Sequence, residues 1–238
     1  MHWDEVGAVL FDLDGVLTPT AEVHMRAWQR TFDEFFVERG ITPAYSDEDY
    51  FAHVDGKPRY DGVRATLVSR GIHLPEGEPT DPEGTPTGCG LGNTKNVLIN
   101  RLLEEEGIVA FPGSVELLDH LEARGVAVAV VSSSRNAPTV LAAAGLADRF
   151  DVVVDGTVAA AEHLAGKPAP DTFAHAARLL GVPCERAVVV EDALSGVQAG
   201  RAGDFQLVIG VDRGAGAEAL LEAGADVVVQ DLAELVER

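Results

Sequence analysis

The stretch Val9-Leu10-Phe11-Asp12-Leu13-Asp14-Gly15 runs from an apolar segment directly into two aspartates and a glycine. This pattern is typical of a buried strand that ends in a tight turn. Because residues i and i+2 of an extended segment face the same side, the carboxylates of Asp12 and Asp14 are expected to face one crevice. Two such close anions repel each other, so the pair indicates a bound cation or one protonated aspartate. The alternative is a solvated, aspartate-rich turn after an edge strand.

The composition indicates a globular protein with an acidic surface. The chain has 238 residues, 46% of them hydrophobic, which is enough for one large domain or two small ones. Its formal charge of -21 argues against a nucleic-acid backbone or an anionic membrane as partner, and an anionic substrate would need positive charge placed locally. No stretch has the length of a membrane span and the N-terminus lacks a signal-peptide pattern, so we expect a cytoplasmic protein. Cys89 and Cys184 suggest neither a disulfide framework nor a zinc site.

From Val115 onward, apolar strand-like runs alternate with helical segments, a pattern that predicts βαβ units and a parallel sheet. Together with Val6–Phe11 they indicate about six strands with helices on both faces, a doubly wound, Rossmann-like α/β fold. The other predicted strands are Val126–Val131, Phe150–Val154, Ala187–Val190, Phe205–Ile209 and Asp226–Val229.

The segment between the first strand and Phe111 is predicted to be helical throughout. Its first helix, Ala21–Arg39, has apolar residues at helical spacing and ends at Gly40. Further helices are predicted at Ser46–Phe51, Gly62–Ser69 and Asn96–Glu106. The Pro- and Gly-rich stretch 75–92 between the last two is predicted to be a flexible loop. The segment therefore indicates a helical cap inserted after the first strand.

Polar groups follow three further strands or connections of the predicted sheet. Ser132, Ser133, Ser134, Arg135 and Asn136 follow one strand, where hydroxyls and backbone N–H groups can cradle a phosphate. Glu191 and Asp192 end another strand, and with Asp12 and Asp14 they form an all-oxygen set that suits Mg²⁺. Lys167 stands on a stiff Pro-containing loop, where its ammonium can hold an anion or offset the carboxylates. Each feature alone has an ordinary structural explanation, but their combination at strand ends indicates a phosphoryl site.

These four motifs resemble those of the haloacid dehalogenase superfamily of phosphatases and phosphomutases. The resemblance covers nearly the whole chain and implies a catalytic core of residues 1–18 and 110–238 with a helical cap of residues 19–109. It implies that Asp12 attacks a phosphoryl group, that Asp14 is the general acid and base, and that Ser132 and Lys167 hold phosphoryl oxygens. It also implies that Mg²⁺ is held by Asp12, Asp14 and Asp192, with Glu191 nearby or acting through water.

Residues of the predicted cap resemble the β-phosphoglucomutase-like subfamily. Thr20 and His24 lie four residues apart on one helical face and match the pair that couples the cap to the acid and base aspartate. Gly56 and Arg59 match a glycine hinge followed by an arginine that binds a distal phosphate. Lys95 matches a cap lysine that faces the sugar. In the core, Ser134, Arg135 and Asn136 match the second phosphate-binding loop.

We therefore expect a Mg²⁺-dependent phosphotransferase with an aspartyl-phosphate intermediate, namely a β-phosphoglucomutase. It would convert β-glucose 1-phosphate into glucose 6-phosphate, with glucose 1,6-bisphosphate as intermediate and activator. Its expected partner is a small phosphorylated sugar, and it is expected to act as a monomer in the cytoplasm with no nucleic acid or membrane partner. The alternatives are a sugar-phosphate or small-metabolite phosphatase with the same aspartates, and a non-catalytic binding protein on the same fold.

Overall fold

A computed structural model describes residues 3–236 and contains one parallel sheet of six strands. The strand order is β3-β2-β1-β4-β5-β6, and every neighbouring pair is parallel. The strands are β1 (Ala8–Phe11), β2 (Ala127–Val131), β3 (Val152–Val154), β4 (Ala187–Glu191), β5 (Leu207–Val211) and β6 (Val227–Val229). This is the doubly wound α/β fold that the alternating pattern predicted, and the fold class is confirmed.

Ten α-helices accompany the sheet within the described residues. They are α1 (Thr20–Arg39), α2 (Asp47–His53), α3 (Arg59–Ser69), α4 (Gly88–Glu106), α5 (Pro112–Glu122), α6 (Ala137–Ala143), α7 (Gly156–Ala161), α8 (Asp171–Leu179), α9 (Leu194–Ala202) and α10 (Ala217–Ala223). Short 3-10 helices occupy Trp3–Glu5, Ala147–Arg149, Cys184–Arg186 and Leu232–Leu235. Among these residues, none of the helices has both the length and the apolar character needed to cross a membrane.

The central strands β1 and β4 lie side by side and are completely buried. Their near-continuous apolar sequences follow from this position, since a parallel sheet covered on both faces leaves no strand face in water. The strand order reverses between these two strands, and open α/β sheets bind ligands outside the carboxyl ends of the strands at such a point. The fold therefore brings the residues after Phe11 and those at Glu191 to the same edge.

The chain divides into two compact units. The core unit contains the described residues up to Pro19 and from Ile108 onward, and the cap unit is Thr20–Gly107. The cap unit has its own hydrophobic core, formed largely by aromatic side chains on α1 and the segment that follows it. Phe32 is fully buried there, with its ring stacked 5.4 Å from that of Trp28 and 4.8 Å from that of Tyr45.

Helix α4 corrects one boundary of the sequence prediction. It begins at Gly88 and not at Asn96, so residues 88–92, which we assigned to the loop 75–92, are helical. Thr87 caps the helix, because its side chain accepts a hydrogen bond from the N–H of Gly90. The sequence analysis also did not predict α5 and α7, whose short apolar stretches lie between stronger strand signals.

Replacing Phe32 with alanine should destabilise the cap unit. The substitution removes a fully buried ring between two aromatic partners, and such changes cost about 3–5 kcal/mol. Urea unfolding followed by tryptophan fluorescence should report the loss directly, because Trp28 contacts the removed ring. Val37→Ala is the matched control on the same helix, since Val37 is 80% exposed and should change stability by less than about 0.5 kcal/mol. Equal stability of the two variants would contradict the assignment of this core.

Candidate active site

The turn after β1 is held by backbone contacts and by a glycine. The N–H of Asp12 donates to the carbonyl of Val190 at 2.9 Å, which continues the pairing of β1 with β4. Gly15 has φ +89°, a conformation that L side chains rarely adopt. A Cβ at this position would lie 1.9 Å from Oδ2 of Asp192. The glycine thus lets the turn approach the Asp192 carboxylate.

Lys167 links the turn to the end of β4. Its Nζ donates to Oδ1 of Asp12 at 2.5 Å, to Oε1 of Glu191 at 2.6 Å and to the carbonyl of Val131 at 3.0 Å. These three bonds use all three protons of the ammonium. The Lys167 side chain is 1% exposed and the Glu191 side chain is 0% exposed. In this structure the lysine offsets the buried carboxylates, which is one of the two roles that its position suggested.

The acidic groups outnumber the cation that balances them. Burial raises the pKa of Asp12 to about 6 and the pKa of Glu191 to about 7, although Lys167 opposes both shifts. Burial also disfavours the ammonium, but the charges of Asp12 and Glu191 hold the pKa of Lys167 above its ordinary value. The lysine is therefore protonated, and the raised carboxylate pKa values show that the site is short of positive charge.

A divalent cation fits this deficit. Asp12, Glu191 and Asp192 are buried, and each offers a carboxylate oxygen such that the three oxygens lie within 4.8 Å of one another. Hard oxygen ligands of this kind suit Mg²⁺. Both oxygens of Glu191 already accept hydrogen bonds, Oε1 from Lys167 and Oε2 from the N–H of Ala193 at 2.9 Å. Asp12 and Asp192 are therefore the better placed direct ligands.

The loop after β2 has the form of an anion cradle. Ser132 is buried, and its Oγ lies 3.5 Å from Oδ2 of Asp14, to which it donates. The same Oγ accepts from the N–H of Ser134 at 3.1 Å, and Oγ of Ser134 accepts from the N–H of Asn136 at 3.1 Å. Ser133 is partly buried and Arg135 is exposed in this loop. The structure therefore places the core residues Asp12, Asp14, Ser132, Lys167, Glu191 and Asp192 around one edge of the sheet.

In the cap unit, His24 and Lys95 are in contact. Nζ of Lys95 lies 2.9 Å from Nδ1 of His24 and 5.0 Å from the ring centroid of Trp28, and Lys95 is buried. Burial, followed by the charges of Lys95 and Arg59, lowers the pKa of His24 well below its ordinary value, so the imidazole is neutral. The ammonium then donates to Nδ1, which leaves the proton of the ring on Nε2. Thr20 is the first residue of α1 and is buried.

Arg59 begins α3 and is bound by two side chains of α4. Nη1 donates to Oδ1 of Asn93 at 3.1 Å, and Nη2 donates to Oδ1 of Asn96 at 2.5 Å. Gly56 has φ +69° in the preceding turn, where the N–H of Lys57 donates to the carbonyl of Val54 at 3.0 Å. Gly56 thus forms a turn just before Arg59, as the sequence suggested, and the roles of both residues stay predictions.

Sequence reasoning missed Arg213, which supports the turn after β1. Its Nε donates to the carbonyl of Gly15 at 2.9 Å, and Nη1 donates to the carbonyl of Gln230 at 2.9 Å. Its guanidinium lies 4.1 Å from the ring centroid of Phe111. A single arginine after β5 matches no motif, so the sequence offers no signal for this contact beyond its place near the end of a strand.

Replacing Lys167 with methionine should destabilise the core unit. The change leaves the buried carboxylates of Asp12 and Glu191 without their common partner, and breaking such a pair costs about 3–5 kcal/mol. Adding Glu191→Gln should restore part of this loss, because it removes one of the two orphaned charges. Urea unfolding at neutral pH measures both effects. If the double variant were less stable than Lys167→Met by the full cost of Glu191→Gln alone, the charge coupling would be refuted.

Comparisons with known proteins agree with this geometry. A family model of haloacid dehalogenase-like hydrolases matches residues 6–204. A β-phosphoglucomutase of Mycobacterium bovis is 51% identical, over 98% of this chain and 92% of its own length.

Solved structures lead to the same family. The crystal structure of β-phosphoglucomutase from Clostridium difficile has a TM-score of 0.77 and 25% identity, and the match covers 97% of this chain and 93% of that one. A variant of CbbY from Rhodobacter sphaeroides in complex with xylulose-(1,5)bisphosphate has a TM-score of 0.72 and 27% identity, with 97% and 96% covered. The resemblance is confirmed: the chain belongs to the haloacid dehalogenase superfamily, in its β-phosphoglucomutase-like subfamily, and is a phosphomutase or a phosphatase.

Proposed function

We propose that the chain is a Mg²⁺-dependent β-phosphoglucomutase that interconverts β-glucose 1-phosphate and glucose 6-phosphate through glucose 1,6-bisphosphate. The observation that carries this proposal is the 51% identity to the Mycobacterium bovis β-phosphoglucomutase over 98% of the chain, because that match includes the cap. In this family the core supplies the chemistry and the cap selects the phosphoryl acceptor, so similarity in the core alone would leave the substrate open.

In this proposal Asp12 is the nucleophile. Its carboxylate oxygen bonds to phosphorus as the bond from phosphorus to the sugar oxygen breaks, which forms an aspartyl-phosphate. Asp14 donates a proton to the departing sugar oxygen and later removes one from the attacking hydroxyl of the sugar. The second transfer releases the phosphoryl group from Asp12 and regenerates the free carboxylate. The 3.5 Å contact of Asp14 with Ser132 Oγ supports this role, since it directs the carboxylate toward the loop that cradles the phosphoryl oxygens.

Mg²⁺ would be held by Asp12 and Asp192, with the backbone carbonyl of Asp14 and with Glu191 nearby or acting through water. When bound, it would neutralise the charge on the phosphoryl oxygens during transfer. Lys167 remains protonated beside Asp12 and supplies a fixed positive charge next to the same oxygens. Ser132 donates from the opposite loop. Phosphoryl transfer depends mainly on such positioning and charge neutralisation.

The cap residues would recognise the sugar and its second phosphate. Arg59 would bind the distal phosphate and Lys95 the sugar, with Ser134, Arg135 and Asn136 of the core loop as further phosphate ligands. Thr20 and His24 would couple the cap to Asp14, and the turn at Gly56 would set the entry of the chain into α3. The contact of Lys95 with His24 supports this grouping, because it joins the sugar-binding and coupling residues directly.

The second candidate is a phosphatase that acts on sugar phosphates or other small metabolites. It is favoured by the family model that matches the chain, which describes hydrolases. It would use the same Asp12 and Asp14, but the aspartyl-phosphate would be released to water. The two functions therefore differ in the acceptor and not in the nucleophile.

The purified protein, supplied with Mg²⁺ and a trace of glucose 1,6-bisphosphate, should convert β-glucose 1-phosphate into glucose 6-phosphate. A coupled assay for glucose 6-phosphate and a colorimetric assay for free phosphate, run on the same samples, separate the two candidates. We expect isomerisation to exceed phosphate release by about two orders of magnitude or more, because a site closed to water favours the sugar hydroxyl. Removal of Mg²⁺ with a chelator should stop both reactions. Phosphate release without isomerisation would reject the mutase in favour of the phosphatase.

Asp12→Asn should abolish turnover of either kind. The amide cannot form the acyl phosphate, so we expect a loss of about three orders of magnitude or more in kcat. Asp148→Asn is the control, since it makes the same change at an exposed position of the core unit and should leave kcat unchanged. Turnover by Asp12→Asn within tenfold of the parent enzyme would show that another group is the nucleophile.

A further inference from the structure

The loop 75–87 of the cap unit, called here the brace loop, is attached to the first turns of α4. The N–H groups of Gly88 and Cys89 donate to the carbonyls of Pro75 and Glu76, both at 2.9 Å. Near its middle, the N–H of Gly84 donates to Oγ1 of Thr94 at 2.9 Å. The brace loop also approaches Gly90 so closely that a Cβ there would lie 2.3 Å from the carbonyl oxygen of Thr85.

The side chain of Asn93 connects the brace loop to Arg59. Its Nδ2 donates to the carbonyls of Pro79 at 3.2 Å and Asp81 at 2.8 Å. Its Oδ1 accepts from Nη1 of Arg59 at 3.1 Å and from Oη of Tyr60 at 2.9 Å. An amide has two donor hydrogens and two acceptor lone pairs, and all four are used here. The loop carbonyls therefore fix which way the amide points, and its oxygen must face Arg59.

The guanidinium of Arg59 is held at both terminal nitrogens. Asn96, three residues after Asn93 on α4, accepts from Nη2 at 2.5 Å while Asn93 accepts from Nη1. The stem of Arg59 passes beside Gly92, where a Cβ would lie 3.2 Å from both Cγ and Cδ of Arg59. An arginine side chain has about 2 kcal/mol of rotamer entropy, so these contacts order it before any ligand binds.

The groups that orient Arg59 carry no charge. Arg64, on the same helix, is oriented by carboxylates instead, with ion pairs of 2.6 Å to Asp61 and 2.5 Å to Glu76. An amide oxygen accepts a hydrogen bond as a carboxylate does, but it adds no negative charge beside the guanidinium. The two asparagines therefore orient Arg59 without themselves weakening its attraction for an anion.

We propose that Asn93 is a positioning residue for Arg59, and that the brace loop controls the affinity for the distal phosphate of a sugar bisphosphate by fixing the Asn93 amide. This inference rests on the proposed function, in which Arg59 binds that phosphate. It assigns a role to the acidic Pro- and Gly-rich loop, which contacts Arg59 only through Asn93 in the hydrogen bonds described above.

Equilibrium binding measures this role in the full chain carrying Asp12→Asn, which keeps a bisphosphate intact. With Mg²⁺ present, Asn93→Asp should weaken binding of glucose 1,6-bisphosphate about tenfold or more, and Asn93→Ala at least about threefold. The aspartate has the larger effect because it faces Arg59 with a negative charge and cannot donate to the loop carbonyls. Affinity for inorganic phosphate, which needs only the core site, should change less than about twofold.

Asn100→Asp and Asn100→Ala are the matched controls. Asn100 is exposed on the same helix, and its variants should bind both ligands as the parent does. An unchanged affinity of Asn93→Asp for the bisphosphate would overturn the proposal. Equal losses for bisphosphate and inorganic phosphate would also overturn it, since they would indicate a general structural defect.

A second measurement tests the positioning without any ligand. The Nε–Hε order parameter of Arg59, measured by side-chain NMR, should fall in Asn93→Ala and stay at the parent value in Asn100→Ala. An unchanged value in Asn93→Ala would overturn the positioning role whatever the enzyme catalyses. Absence of glucose 6-phosphate formation by the unmodified enzyme would instead refute the proposed function, so the two failures are distinguishable.

Discussion

The buried contact of Lys167 with Asp12 and Glu191 is the constraint on which the core site depends. Each carboxylate alone would be costly to bury, and the shared ammonium makes their burial possible. Because Lys167 comes from the connection between β3 and α8, whereas Asp12 and Glu191 end the adjacent strands β1 and β4, the contact also ties that connection to the centre of the sheet. The site and the fold are therefore stabilised by the same three side chains.

The core site follows from the order of the strands. Parallel pairing puts the carboxyl ends of β2, β1 and β4 at one edge, so Ser132, Asp12 and Glu191 must meet there once the sheet forms. Gly15 then decides how close the turn can come, because any side chain at this position would collide with Asp192. The acidic cluster thus results from sheet topology together with one backbone conformation.

The parts of the molecule that the sequence predicted are those with local signals. Apolar runs and strand-end motifs identified the sheet and the grouping of Asp12, Ser132, Lys167 and Glu191. The start of α4 was wrong because three glycines, at positions 88, 90 and 92, each cost a helix about 1 kcal/mol and favour a loop assignment. In the structure, Gly90 and Gly92 instead make room for neighbouring segments. The contacts of Arg213 with Gly15 and of Arg59 with Asn93 join residues 198 and 34 positions apart and match no motif, so no local pattern reveals them.

An enzyme with a formal charge of -21 must attract an anionic substrate through a few placed cations. Charges in salt solution are screened over about 8 Å, so the acidic surface matters less than the cations that touch the ligand. Each of these cations has a different kind of support: carboxylates for Lys167, an imidazole and an indole ring for Lys95, and amides for Arg59. Lys167 is fully compensated and serves the buried carboxylates, whereas the supports of Lys95 and Arg59 are neutral. The neutral supports preserve the charge of the cap cations, so they suit recognition of a phosphorylated sugar more than stabilisation of the fold.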